Sequence, residues 1–134
     1  MRNLTTIATA VTLLACSVTA TAAMTREEYK EGKARIIAAY EAERQKCGPS
    51  LGAAAEVCVA RARGARKVAS AELEAAYKPG PRNYQAAAMA RADAAYAIAK
   101  EECDRQKGEA RKACDKDAKA AYTRAKAEAK AARK

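Results

Sequence analysis

Cys47-Gly48-Pro49-Ser50-Leu51-Gly52 runs on to a second cysteine at Cys58, and Cys103-Asp104-Arg105-Gln106-Lys107-Gly108 runs on to Cys114. Both pairs are eleven positions apart, and the second pair lies 56 residues after the first. Tyr40 and Tyr96 keep that offset, each seven residues ahead of its cysteine, and Gly52 and Gly108 keep it too. Self-similarity at a fixed period marks a repeated supersecondary unit. Here the unit is a helix, a turn and a second helix, used twice.

The sequence around each turn supports helices on both sides. Thr25-Arg26-Glu27-Glu28 is a capping box, with Met24 and Tyr29 at the positions of a hydrophobic staple. Ala, Glu, Lys and Arg then dominate as far as Lys46, all strong helix formers. Tyr29, Ile36, Tyr40 and Cys47 are spaced 7, 4 and 7 residues, which puts them on one helical stripe. Gly48, Pro49 and Gly52 break that helix. A second run is expected over Ala53–Tyr77, with Cys58, Ala62, Ala65, Ala69, Leu73 and Ala76 on one face. Lys78-Pro79-Gly80-Pro81-Arg82 forms a joint, with Asn83 as the expected N-cap of a third helix over 84–104. A fourth starts near Gly108 and ends in an alanine-lysine tail. The predicted fold is all-α: two tandem antiparallel hairpins, 23–78 and 84–134, joined by a linker at 79–83.

Residues 1–22 read as an export signal. Arg2 supplies charge, Leu4–Ala15 is uncharged, and Ala20-Thr21-Ala22 is a small-x-small cleavage signature that places the mature start at Ala23. The apolar run is shorter than the roughly 20 residues a membrane span needs. Leu13-Leu14-Ala15-Cys16 offers an alternative, a lipoprotein anchored through Cys16. In either case Cys16 leaves the thiol count and four cysteines remain, an even number suited to disulfides in an oxidising compartment. The expected location is the periplasm.

Two pairings are physically sensible. Local bonds, Cys47–Cys58 and Cys103–Cys114, would staple each hairpin at its turn. If each helix ran straight through instead, the paired sulfurs would sit about 16 Å apart on one face and would have to bond across an antiparallel partner. Gly48-Pro49 argues for local pairing in the first unit. Asp104–Gly108 is a weaker break, so the second unit rests on the symmetry of the repeat.

Those staples matter because the core is thin. Beyond residue 22 the chain has eight Leu, Ile or Val residues (Ile36, Ile37, Leu51, Val57, Val59, Val68, Leu73, Ile98) and neither Phe nor Trp. Each such side chain contributes about 1.5–3 kcal/mol when fully buried. Conformational entropy of about 1–2 kcal/mol per ordered residue opposes that. With so little apolar surface, the two hairpins are expected to stay as linked rods rather than a loose four-helix bundle.

The same inventory argues against catalysis. There is no histidine for a base, a triad or a metal. The cysteines lack the C-x2–4-C spacing of zinc knuckles and the C-x-x-C spacing of redox pairs. Glu27/Glu28, Glu101/Glu102 and Asp115/Asp117 are carboxylate pairs of the kind that lie on solvated helix faces. No cofactor and no small-molecule substrate is expected.

Charge remains as the other source of function. The formal charge is +10, and +9 once Arg2 is removed with the signal. Arg61, Arg63, Arg66 and Lys67 form a stretch without acids, and Lys126, Lys130, Arg133 and Lys134 carry the basic tail. These eight are candidate anion-binding residues. Export argues against nucleic acid and toward membrane headgroups, lipopolysaccharide phosphates or envelope proteins as partners.

The Met24-Thr25-x-x-Glu28-Tyr29 start, the Tyr40/Cys47 and Tyr96/Cys103 units and the Ala71–Pro79 stretch resemble small exported Ala/Lys-rich helical proteins of Gram-negative bacteria. Such proteins have no assigned chemistry or are labelled TolA-like cell-envelope biogenesis proteins. The likeness covers nearly all of the chain beyond the signal. It implies an envelope location and a structural or interaction role without catalysis. Arg105-Gln106-Lys107 departs from the turn character of that pattern.

Overall fold

The computed structural model describes residues 23–48 and 52–131. The signal segment, Cys16, Pro49-Ser50-Leu51, Arg133 and Lys134 lie outside the described residues. Four helices follow in chain order: α1 (Arg26–Lys46), α2 (Ala53–Tyr77), α3 (Pro81–Asp104) and α4 (Gly108–Ala131). The capping box forms as expected. The Glu28 amide donates to Thr25 Oγ1 at 3.2 Å, and the Thr25 amide donates to the Glu28 carboxylate at 2.7 Å. The Thr25 amide, and after it the Thr25 hydroxyl, both donate to the Glu28 carboxylate and hold it below its ordinary pKa.

Both turns use glycines in the left-handed region. Gly48 and Gly52 have φ of +67° and +132°, and Gly108, the counterpart of Gly52, has φ of +58°. Side chains disfavour these angles and glycine does not. The weaker second break therefore turns as the first does. The Gln106 amide donates to the Cys103 carbonyl at 2.9 Å, closing a tight turn just past the end of α3.

The joint differs from the expectation in one respect. The N-cap of α3 is Gly80 and Pro81 is in its first turn, so the linker is shorter than residues 79–83. Proline's fixed φ already suits a first helical position, where an amide donor is not needed. Asn83 lies inside the helix and its Nδ2 donates to the Lys78 carbonyl at 2.7 Å. It caps the end of α2 rather than the start of α3.

The two hairpins do not stay apart as linked rods. Close backbone contacts run between α1 and α2, α2 and α3, and α3 and α4, and between no other pair among the described residues. The result is an open layer of four antiparallel helices. Three ion pairs cross the α2–α3 seam: Arg61–Glu102, Lys67–Asp93 and Arg91–Glu72, each at 2.6 Å. The partner number falls as its mate rises, which is antiparallel register.

The expectation counted large side chains, but this seam is made by backbones approaching over small ones. At Gly64 a Cβ would sit 3.0 Å from the Ala94 Cβ. Burial is concentrated in the two central helices, at Val57, Ala62, Gly64 and Ala75 of α2 and Ala87, Ala90, Ala92, Ala94 and Cys103 of α3. Each central helix has two neighbours, whereas α1 buries only Gly32 and α4 only Ala129 among described residues.

Candidate functional site

Each hairpin brings its two cysteines together because the turn glycines reverse the chain between them. Cys47–Cys58 and Cys103–Cys114 are disulfides, with Cα separations of 5.6 Å and 5.5 Å. The local pairing is the one formed. Because α2 and α3 are antiparallel, with Arg61 level with Glu102, both stapled turns lie at the same end of the layer. The Lys78–Gly80 joint lies at the other end. The bonds use all four cysteines among the described residues, so none of these is available as a thiolate.

Next to the staples the repeats place equivalent aromatic contacts. Tyr96 stacks on Tyr122 with ring centroids 4.6 Å apart. At the matching positions, 56 residues earlier, the Arg66 guanidinium lies 4.8 Å from the Tyr40 ring centroid. Tyr29 and Tyr77 stack at 4.3 Å near the opposite end of the first hairpin. Stacked aromatics and cation–π contacts add directional attraction to the area they cover.

Two phenols also donate to carboxylates across the seams. Tyr29 of α1 donates to Glu74 of α2, and Tyr122 of α4 donates to Asp93 of α3. Asp93 also accepts from Lys67 of α2 at 2.6 Å, so one carboxylate ties three helices together. The Lys67 hydrogen bond, followed by that of Tyr122, holds Asp93 below the usual carboxylate range. The Tyr29 phenol does the same for Glu74. Both phenols are pushed up by the carboxylates they bond.

The signs give a pH prediction. A carboxylate with a lowered folded pKa contributes stability that is present above its unfolded value and is lost as pH falls through the folded value. The raised phenols contribute in full below their ordinary value near 10 and lose that contribution only above it. Thermal midpoints are therefore expected to stay level between about pH 6 and 9 and to fall below about pH 4. Circular dichroism melts from pH 9 to pH 2 measure this. Asp93→Asn is expected to melt lower at neutral pH and to show a shallower acid decline.

The candidate anion-binding residues are divided by the fold. Arg61 and Lys67 lie in a stretch that is acid-free in sequence, yet α3 supplies each with a carboxylate. Arg66 is held over Tyr40. Arg63 lines a surface depression with Glu56, Glu101 and Asp104. Lys126 lies 4.3 Å from the Tyr122 ring centroid, and Lys130 is exposed. Beyond residue 78 there are fourteen basic and eight acidic residues, against eleven and eight in residues 23–78. Two-thirds of the excess positive charge therefore lies beyond residue 78. Lys116 and Lys119, outside the eight candidates, are also exposed on α4.

On the first hairpin a shallow groove of about 300 Å³ runs between α1 and α2. Ile36, Ala39, Tyr40, Ala62, Ala65 and Ala69 line it. Its lining is aliphatic and aromatic, with Arg35, Arg66 and Glu43 at the rim. No described helix is long and apolar enough to cross a membrane. In comparisons with family models, curated proteins and solved structures, nothing matches this chain.

Proposed function

We propose that the chain is an exported, non-catalytic scaffold or interaction protein of the Gram-negative cell envelope, working in the periplasm. The observation that carries this reading is the pair of disulfides, one per hairpin, in a layer whose core is mostly alanine. Such bonds form and persist in oxidising compartments outside the cytosol. The signal-like residues 1–22 and the resemblance to exported Ala/Lys-rich proteins point the same way. The titratable groups that do converge, Asp93 with Lys67 and Tyr122, are engaged in tying three helices together, which supports a structural role.

Intact mass of the protein from fractionated native cells tests this. The expected result is a periplasmic chain starting at Ala23 that gains four hydrogens on reduction. A lipid adduct on Cys16 would make it an anchored lipoprotein instead. A cytosolic chain with residues 1–22 intact and four reduced thiols would overturn the reading.

A second reading, binding to anionic envelope polymers, is favoured by the exposed lysines of α4. It requires retention on vesicles with anionic headgroups at low ionic strength and release in salt.

A further inference from the structure

The open layer leaves two edges, the outer faces of α1 and α4, and their charges are opposite. At 100° per residue, the seam side of α1 carries Tyr29, Ile36, Tyr40 and Cys47, so its outer side carries Glu27, Ala34, Ala38, Glu41 and Gln45. All five are exposed. By the same geometry the outer side of α4 carries Lys116, Ala120, Thr123, Ala127 and Lys130, again all exposed. Among the described residues most charges near the seams are ion-paired, but Glu27, Glu41, Lys116 and Lys130 have no partner within ion-pair distance.

The spacings agree. Glu27 and Glu41 are fourteen residues apart, and so are Lys116 and Lys130. With one α4 antiparallel to another molecule's α1, Glu27 meets Lys130 and Glu41 meets Lys116 in one register. Ala34 then faces Thr123 in the same register. Small residues at these positions allow the close approach already used between α2 and α3. The two edges cannot meet within one chain, because α2 and α3 lie between them.

We propose that the α4 edge of one molecule docks on the α1 edge of a second copy, head to tail, extending the layer with its up–down order unbroken. An α4–α4 or α1–α1 dimer would oppose like charges and is disfavoured. Head-to-tail contacts are heterologous and build open chains or rings. The disulfide turns of successive copies would then line one side of the assembly. This rests on the scaffold reading but is tested apart from it, on purified protein.

The test is sedimentation of the purified, disulfide-intact protein. The average mass is expected to rise with concentration past the dimer at about 20 mM salt and to return to monomer at about 0.5 M. Lys116→Glu with Lys130→Glu leaves two acidic edges, and Glu27→Lys with Glu41→Lys leaves two basic ones. Each is expected to lose self-association by about tenfold or more. Mixing the two variants is expected to restore a heteromeric complex. Because all four sites are exposed, unchanged helix content by circular dichroism accompanies each variant. A monomer at every concentration in low salt, a mass that stops at the dimer, or variants that associate like the parent would overturn the proposal.

Discussion

Reduction and alkylation of the four paired cysteines is expected to lower the thermal midpoint by tens of degrees or abolish the cooperative transition altogether. Each bond closes a loop of eleven residues, and chain entropy assigns such a loop about 3 kcal/mol. Two of them approach the 5–15 kcal/mol that small domains have in total. The noncovalent interior has little to set against that loss. Its buried apolar members are one valine, seven alanines and Cys103. In a domain of this size about 1 kcal/mol corresponds to roughly 4–8 °C of midpoint, so a fall of about 25–50 °C follows.

The two staples are not equal. Cys103 is 0% exposed, so its removal also leaves a void beneath α4, whereas Cys47 and Cys58 are partly exposed. Cys103→Ala with Cys114→Ala is therefore expected to melt below Cys47→Ala with Cys58→Ala. Far-UV melts of oxidised, reduced and variant proteins decide it. Equal midpoints for oxidised and reduced chains would show that the helices hold one another without sulfur.

Much of this fold was legible because its signals are local. The Thr25–Glu28 capping box, the turn glycines and the cysteine spacing each depend on residues within about one hairpin, and each formed as expected. What could not be read was the partner across the joint. Arg61 and Lys67 look free of acids along the chain, but Glu102 and Asp93 reach them from 41 and 26 residues away. Only the antiparallel register of α2 and α3 creates those pairs. That register depends on close backbone approach, which an inventory of bulky side chains does not detect. Asn83 shows the same limit on a smaller scale. It fits an N-cap by residue type, yet Pro81 starts the helix earlier and turns Asn83 toward the previous one.

Gly64 is where that unread seam can be tested most sharply. It lies mid-helix in α2, where glycine is about 1 kcal/mol worse than alanine. Alanine there is expected to be near neutral. It gains helix propensity, while its Cβ would meet Ala94 Cβ at 3.0 Å and lie 3.6 Å from the Ala94 Cα, so α3 must give way slightly. Leucine has no such escape. Its branch would have to occupy the position of α3's backbone, and the nearby Ile98 Cδ1, 3.7 Å from the same point, closes the other side. Overpacking of this kind typically costs about 1–3 kcal/mol, and more when backbone must move. Gly64→Leu is expected to lose at least the upper part of that range and to weaken the Lys67–Asp93 and Arg61–Glu102 pairs with it. Gly32 provides the contrast. A Cβ there would meet the flexible end of Leu73, which can rotate, so a similar loss at Gly32→Ala would point to helix distortion rather than seam separation. If Gly64→Leu melts like the parent, the two hairpins are linked rods after all, and the continuous four-helix layer is not the state in solution.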